Sequence, residues 1–130
     1  MESKNAIRAL GALAHATRLA IYRLLVQAGE SGLAVGAIGD KLKLAPATLS
    51  FHLASLKHAG LVLARREGRT IYHAADYRAM NGLVGYLSEN CCQGADCGIA
   101  ACVPAGGSQT SRSAKQESRH EKTARTRGRR

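Results

Sequence analysis

The stretch PATLSFHLASLKHAGLVLARREGRTIYHAA, residues 46–75, changes its hydrophobic period halfway along. Up to His58 the apolar residues recur at helical spacing: Leu49, Leu53 and Leu56 stand four and three apart and share one face. Pro46 suits a first helical position, because the N–H it lacks would go unsatisfied there anyway. With Leu49 as origin and about 100° per residue, Ala47, Phe51, Ala54 and His58 fall on the opposite side. Phe51 is thus predicted to point outward among small polar residues, where a merely solvated face would carry Glu and Lys. After Gly60 the runs LVLAR and TIYHA, separated by REGR, read as a β-hairpin with Arg65, Arg66 and Arg69 at or beside its tip.

Working outward, the upstream chain reads as short helices. In AIRALGALA, residues Ile7, Leu10, Leu13 and Ala14 fit one face, and Thr17 is a plausible N-cap for the next helix. There Ile21, Leu24, Leu25 and Ala28 make an i, i+3, i+4, i+7 stripe, with Gly29 at the expected C-cap. Residues 33–44 give a shorter helix through Val35, Ile38 and Leu42. Downstream, DYRAMNGLVGYLSEN starts on Asp76 as N-cap and carries Tyr77, Met80, Leu83, Val84 and Leu87. A body this small would struggle to bury that stripe internally, which predicts a dimer seam. Two helices, a tight turn, a polar-faced helix and a basic hairpin make a winged helix-turn-helix: mostly α with a β-hairpin wing, and homodimeric.

The expected organisation is a DNA-binding and dimerisation domain at 1–90, a cysteine-rich segment at 91–104 and a basic tail at 105–130. The tail has no Leu, Ile, Val, Phe or Tyr and cannot offset its ordering entropy, so it is predicted to be disordered. Of the chain's formal charge of +10, the tail's eight Arg and Lys against two Glu supply +6, and the body the remaining +4. That balance points to a polyanionic partner.

In a winged helix-turn-helix the second helix of the motif enters the major groove. Thr48, Ser50 and Ser55 are then candidate base or phosphate contacts, and Phe51 can meet a thymine methyl. His52 sits about 60° from the core face, where packing and contact are equally open. Lys57 and the wing residues Arg65, Arg66 and Arg69 suit phosphates. One module reads few bases, so a dimer on an inverted repeat of double-stranded operator DNA is expected. No apolar run is long enough for a membrane span. Arg8 interrupts the N-terminal apolar stretch, so a cytoplasmic protein with reduced thiols is expected. No nucleophile triad, paired carboxylates or phosphate-binding glycine loop appears, and the five His are scattered, which argues against an enzyme.

All four cysteines fall within NCCQGADCGIAAC, residues 90–102. A disulfide staple, a structural metal site, a redox nucleophile and a trap for a thiophilic ion are the candidates. Adjacent Cys91 and Cys92 would be strained as a disulfide. The stretch has no Cys-x-x-Cys and no basic residue to depress a thiol pKa.

The run SFHLASLKHAGLVLARREGRTIYHAA resembles the recognition-helix and wing segment of the ArsR/SmtB family of metal-responsive repressors, and ATRLAIYRLL resembles an earlier helix of that family. The resemblance covers about residues 5–90. It implies a homodimeric repressor that leaves its operator when a metal or metalloid binds. Two sensing sites common in that family are missing: Leu33-Ala34-Val35-Gly36 stands where a Cys-x-Cys is often found, and residues 76–90 contain no His. Asn90-Cys91-Cys92 with a nearby cysteine resembles the arsenic-responsive branch. Soft sulfur donors suit soft ions, and arsenite takes three thiolates, so Cys91, Cys92 and Cys97 are the expected ligands with Cys102 a candidate fourth. Antimonite and methylated trivalent arsenicals are further candidate inducers; zinc, cadmium or a redox signal acting on the same thiols is the alternative.

Overall fold

In the computed structural model residues 1–94 are described. They form α1 (Ser3–Leu13), α2 (Ala16–Ala28), β1 (Leu33–Ala34), α3 (Val35–Leu42), α4 (Pro46–His58), β2 (Val62–Glu67), β3 (Thr70–Ala75) and α5 (Tyr77–Leu87), then one 3₁₀ turn at Cys91–Gly94. Cys97, Cys102 and the basic tail lie outside the described residues.

Gly29 ends α2 with φ 85°, and Lys43 ends α3 in the left-handed region at φ 55°. The turn from α3 into α4 is then only residues 43–45, closed by the Leu44 N–H donating to the Gly39 carbonyl at 3.0 Å. Ile21 and Leu25 of α2, Ile38 of α3 and Leu49 and Leu56 of α4 are fully buried together with Leu61. The helices of the helix-turn-helix therefore share one buried core. Asp76 caps α5 by accepting from the Arg78 and Ala79 N–H groups. Its own N–H donates to the Leu61 carbonyl at 2.8 Å, which ties the two ends of the wing together.

The sheet is antiparallel in the order β1-β3-β2. Pairs Val62–Ala75, Ala64–His73 and Arg66–Ile71 alternate with Leu63–Ala74, Arg65–Tyr72 and Glu67–Thr70. Successive side chains take opposite faces, so Val62, Ala64, Arg66, Ile71, His73 and Ala75 share the face containing the buried Val62, His73 and Ala75.

Three local expectations need correction. Residues Leu33 and Ala34, read as the start of a helix, instead pair with His73 and Tyr72; Gly32, at φ 70°, lets the chain approach, since a Cβ there would collide with the His73 carbonyl. The N-cap of α2 is His15, whose Nδ1 accepts from the Thr17 N–H at 3.2 Å, and not Thr17 itself. On α1 the buried residues are Ala6 and Ala9, while Ile7 and Leu10 are 67% and 41% exposed. Small alanines allow close approach to the core, and the larger residues are left outside.

Truncating Leu56 removes a wholly buried side chain from the centre of this packing. Leu56→Ala is expected to cost about 2–5 kcal/mol, measured by urea unfolding; a loss comparable to an exposed-site substitution would contradict the packing.

Candidate nucleic-acid interface

The three leucines of α4 fix its rotation about its own axis. Leu49, Leu53 and Leu56 are at most 3% exposed, and Phe51 on the opposite side is 66% exposed. Phe51 is thus a crest, with exposed Ala47, Thr48, Ser50, Ala54, Lys57 and His58 around it. Successive 100° steps put Ser50, Ala54 and Lys57 on one flank and Thr48 with Ser55 on the other. Ser55 is half-buried, and its hydroxyl donates back to the Phe51 carbonyl at 3.2 Å, a local bond that competes with any outside partner.

His52 does not belong to this surface. It is 7% exposed, its ring lies 4.8 Å from that of His15 and 5.6 Å from that of Phe51. Its Nδ1 is buried with no hydrogen-bond partner among the described residues. The sequence left its direction open; the structure turns it inward, toward the α1–α2 corner. There Arg18 Nε donates to the Ala12 carbonyl at 2.6 Å. His52 thus packs between the rings of His15 and Phe51, behind the exposed crest.

The wing arginines divide by role. Arg65 donates to the Ser31 carbonyl at 3.3 Å, pairs with Glu67 at 3.0 Å and lies over the Tyr72 ring at 5.3 Å. Those contacts anchor the wing to the turn after α2, and the exposed ion pair itself contributes about 0–1 kcal/mol. Arg66 Nε donates to the Gly68 carbonyl at 3.2 Å and stiffens the hairpin tip. Arg69, beside Gly68, is exposed.

Between α4 and the wing runs a groove of about 190 Å³, lined by Val35, Ser50, Leu53, Ala54, Lys57, Ile71 and His73. His73 was not foreseen there. The alternation in TIYHAA, which puts it on the face of Ile71 and Ala75, was the available signal. It is 6% exposed, and its Nδ1 too lacks a partner among the described residues.

Burial, then the charges of His15 and Arg18, hold the His52 pKa below the ordinary 6.5; burial, then Lys57, does the same for His73. The unfolded chain therefore takes up these protons at a higher pH than the folded one. Stability from the neutral imidazoles is complete above about pH 6.5 and is lost as pH falls through that value toward the lower folded ones. The midpoint of thermal unfolding is expected to fall below about pH 6.5, and to fall less steeply in His52→Leu. Superimposable pH profiles for the two proteins would contradict this assignment.

Among the described residues no group of three or more His, Cys, Asp or Glu could hold a metal ion. Cys91 is half-buried and Cys92 exposed, both in the 3₁₀ turn that begins four residues after Leu87, the last of α5. No single described helix is long and apolar enough to cross a membrane.

Residues 13–65 match the family model described as a helix-turn-helix domain. The nodulation protein NolR of Rhizobium meliloti is 38% identical over 80 residues, covering 62% of this chain and 63% of NolR; the chain thus spans less than two thirds of that relative's length. The transcriptional activator HlyU of Vibrio cholerae is 32% identical over 91 residues, covering 70% of this chain and 82% of HlyU. Among solved structures, a homodimeric winged helix-turn-helix DNA-binding domain from Mycobacterium bovis superimposes with a TM-score of 0.55 at 33% identity, covering 67% of this chain and 81% of that one. A protein described as a "possible transcriptional regulator for arsenical resistance" does so with a TM-score of 0.54 at 29% identity, covering 61% and 79%.

Proposed function

The chain belongs to the winged helix-turn-helix transcriptional regulators of the ArsR, HlyU and NolR kind, and from that premise we propose that it is a homodimeric repressor of an arsenical-resistance operon, released from its operator when arsenite binds its cysteine segment. The observation that carries the DNA-binding part is the outward crest of α4. An aromatic ring two-thirds exposed, flanked by hydroxyls and a lysine, is suited to a groove of base edges and phosphates. Lys57, Arg66 and Arg69 add phosphate contacts, and the basic tail adds sequence-independent attraction.

Dimerisation is supported by α1 and α5, which pack against each other. They bury Ala6, Ala9 and Leu83 inward and leave Ile7, Leu10, Val84 and Leu87 outside, between 41% and 67% exposed. A helix that hides alanine and shows isoleucine has a second apolar surface to cover, and another copy of the chain supplies it. Two copies present two α4 crests, which suits an inverted repeat.

The inducer reading rests on chemistry. Adjacent thiols at the end of a dimerisation helix suit a soft, thiophilic ion, and the backbone there is irregular: Cys92 and Gln93 have φ of 53° and 55°. Cys91, Cys92 and Cys97 would hold arsenite, with Cys102 a candidate fourth donor; antimonite or a methylated arsenical would use the same sulfurs. Drawing these sulfurs together reorganises the end of α5 and with it the spacing of the two α4 helices. The coupling is reciprocal, so operator weakens arsenite binding as much as arsenite weakens operator binding. The "possible transcriptional regulator for arsenical resistance" among its structural relatives is in keeping with this reading.

Gel shifts with the promoter of the chain's own operon test both parts. Phe51→Ala is expected to weaken specific binding at least about tenfold without lowering the unfolding midpoint. Arsenite is expected to release the wild type but not Cys91→Ser or Cys92→Ser at the same concentration. Cys97→Ser should impair the response to arsenite and spare that to a methylated arsenical, which needs two thiolates. Release by zinc in place of arsenite, or by oxidant alone, would overturn the arsenite reading.

A further inference from the structure

We propose that the groove between α4 and the wing seats one sugar–phosphate unit of duplex DNA, held by Ser50 and Lys57 from α4 and by His73 from β3. This rests on the DNA-binding reading and deepens it by naming a phosphate contact that comes from beneath the wing, not from its tip.

The lining divides into two chemistries. Val35, Leu53, Ala54 and Ile71 offer an apolar wall of the kind that the carbon edge of a deoxyribose meets. Ser50, Lys57 and His73 offer a hydroxyl, an ammonium and an imidazole, and among the described residues no carboxylate lines the groove. A ligand with one apolar edge and one anionic edge fits that pairing, and the DNA backbone is such a ligand. Position agrees with chemistry: the groove opens beside the flank of α4 that carries Ser50 and Lys57, so a strand passing from the crest to the wing crosses it.

His73 is the informative residue. It is more than nine-tenths buried in the groove wall, and its Nδ1 has no hydrogen-bond partner among the described residues. A buried imidazole nitrogen without a partner is uncommon in a finished core. Lys57 is the charged group that acts on it. Its neighbours on β1 and β2, Leu33 and Ala64, carry no charge, and neither does Val35 of α3. Arg66 lies two residues further along β2 on the same face, and no ionisable group of α2 acts on it. Free of DNA, burial and then Lys57 push the ring toward its neutral form. A phosphate beside it reverses that balance by favouring the imidazolium. One proton is then taken up at Nδ1 or Nε2 as the complex forms, and DNA binding tightens as pH falls.

The experiment uses the full chain and a short fluorescein-labelled duplex of mixed sequence, followed by anisotropy from about pH 8 to about pH 6 at several salt concentrations. Wild type is expected to gain about three- to five-fold in affinity over that range, and His73→Gln to lose most of that gain. Lys57→Met is expected to lower the salt slope by about one. His73→Gln alters packing under the wing, so the wild-type imidazole resonances are also titrated by NMR with and without the duplex. His73 should titrate at a pH about one unit higher when bound. If wild type binds but His73 titrates at the same pH in both states, the seat is wrong and the DNA-binding reading stands. If wild type fails to bind the duplex at any pH or salt, both fall.

Discussion

The rest of the structure depends on burying Leu49, Leu53 and Leu56 against α2 and α3. A helix can satisfy one apolar stripe, and once three leucines claim it, the helix has no rotational freedom left. Phe51 must then face solvent, Ser50 and Lys57 must face the wing, and His52 must face the α1–α2 corner. Small side chains permit the rest of the arrangement. Pro46 starts α4 directly after a turn of three residues, and Gly32 lets β1 lie against β3 beneath the wing. The exposed surface of α4 is thus a consequence of core packing, and the residues that define it are fixed by those behind them.

This is why α4 and the wing were legible in the sequence. Their signals are periodic, the period changes cleanly at Gly60, and burial obeys the helical period in α4 and the alternating one in the inner half of β3. The failures share another cause: short-range cues overridden by tertiary partners. In α1 the apolar residues sit on both sides of the helix, and periodicity cannot say which side meets the protein; Ala6 and Ala9 won because they allow closer approach. Leu33 and Ala34 look helical on hydrophobicity alone, and become a strand because β3 has a free edge. Thr17 is the better cap by preference, but His15 precedes the first turn and reaches it. His52, at the border between faces, could not be assigned from an angle, and His73 was hidden within a strand whose partner helix was unknown.

The proposed signal-receiving part follows from the same economy. In α5 Leu83 reaches the core, while Val84 and Leu87 stay exposed, as do Ile7 and Leu10 of α1. Three residues, 88–90, separate the end of that helix from Cys91 and Cys92. In the proposed mechanism a ligand that gathers thiols at this point would act near a helix end, and a helix shared by two copies would carry the change to both α4 crests. On that proposal sensing and dimerisation use one element and recognition another, joined through the buried leucines.

The most direct test of the account is a ¹⁵N–¹H NMR titration of the full chain with duplex DNA from its own promoter. Amide shifts are predicted to concentrate on residues 47–58 and on the wing from Arg65 to Ile71, with Phe51 among the largest, and to leave the exposed faces of α1 and α5 unmoved by contact. Shifts centred on α1 and α5 with α4 unaffected would contradict the assignment of α4 as the DNA-reading helix.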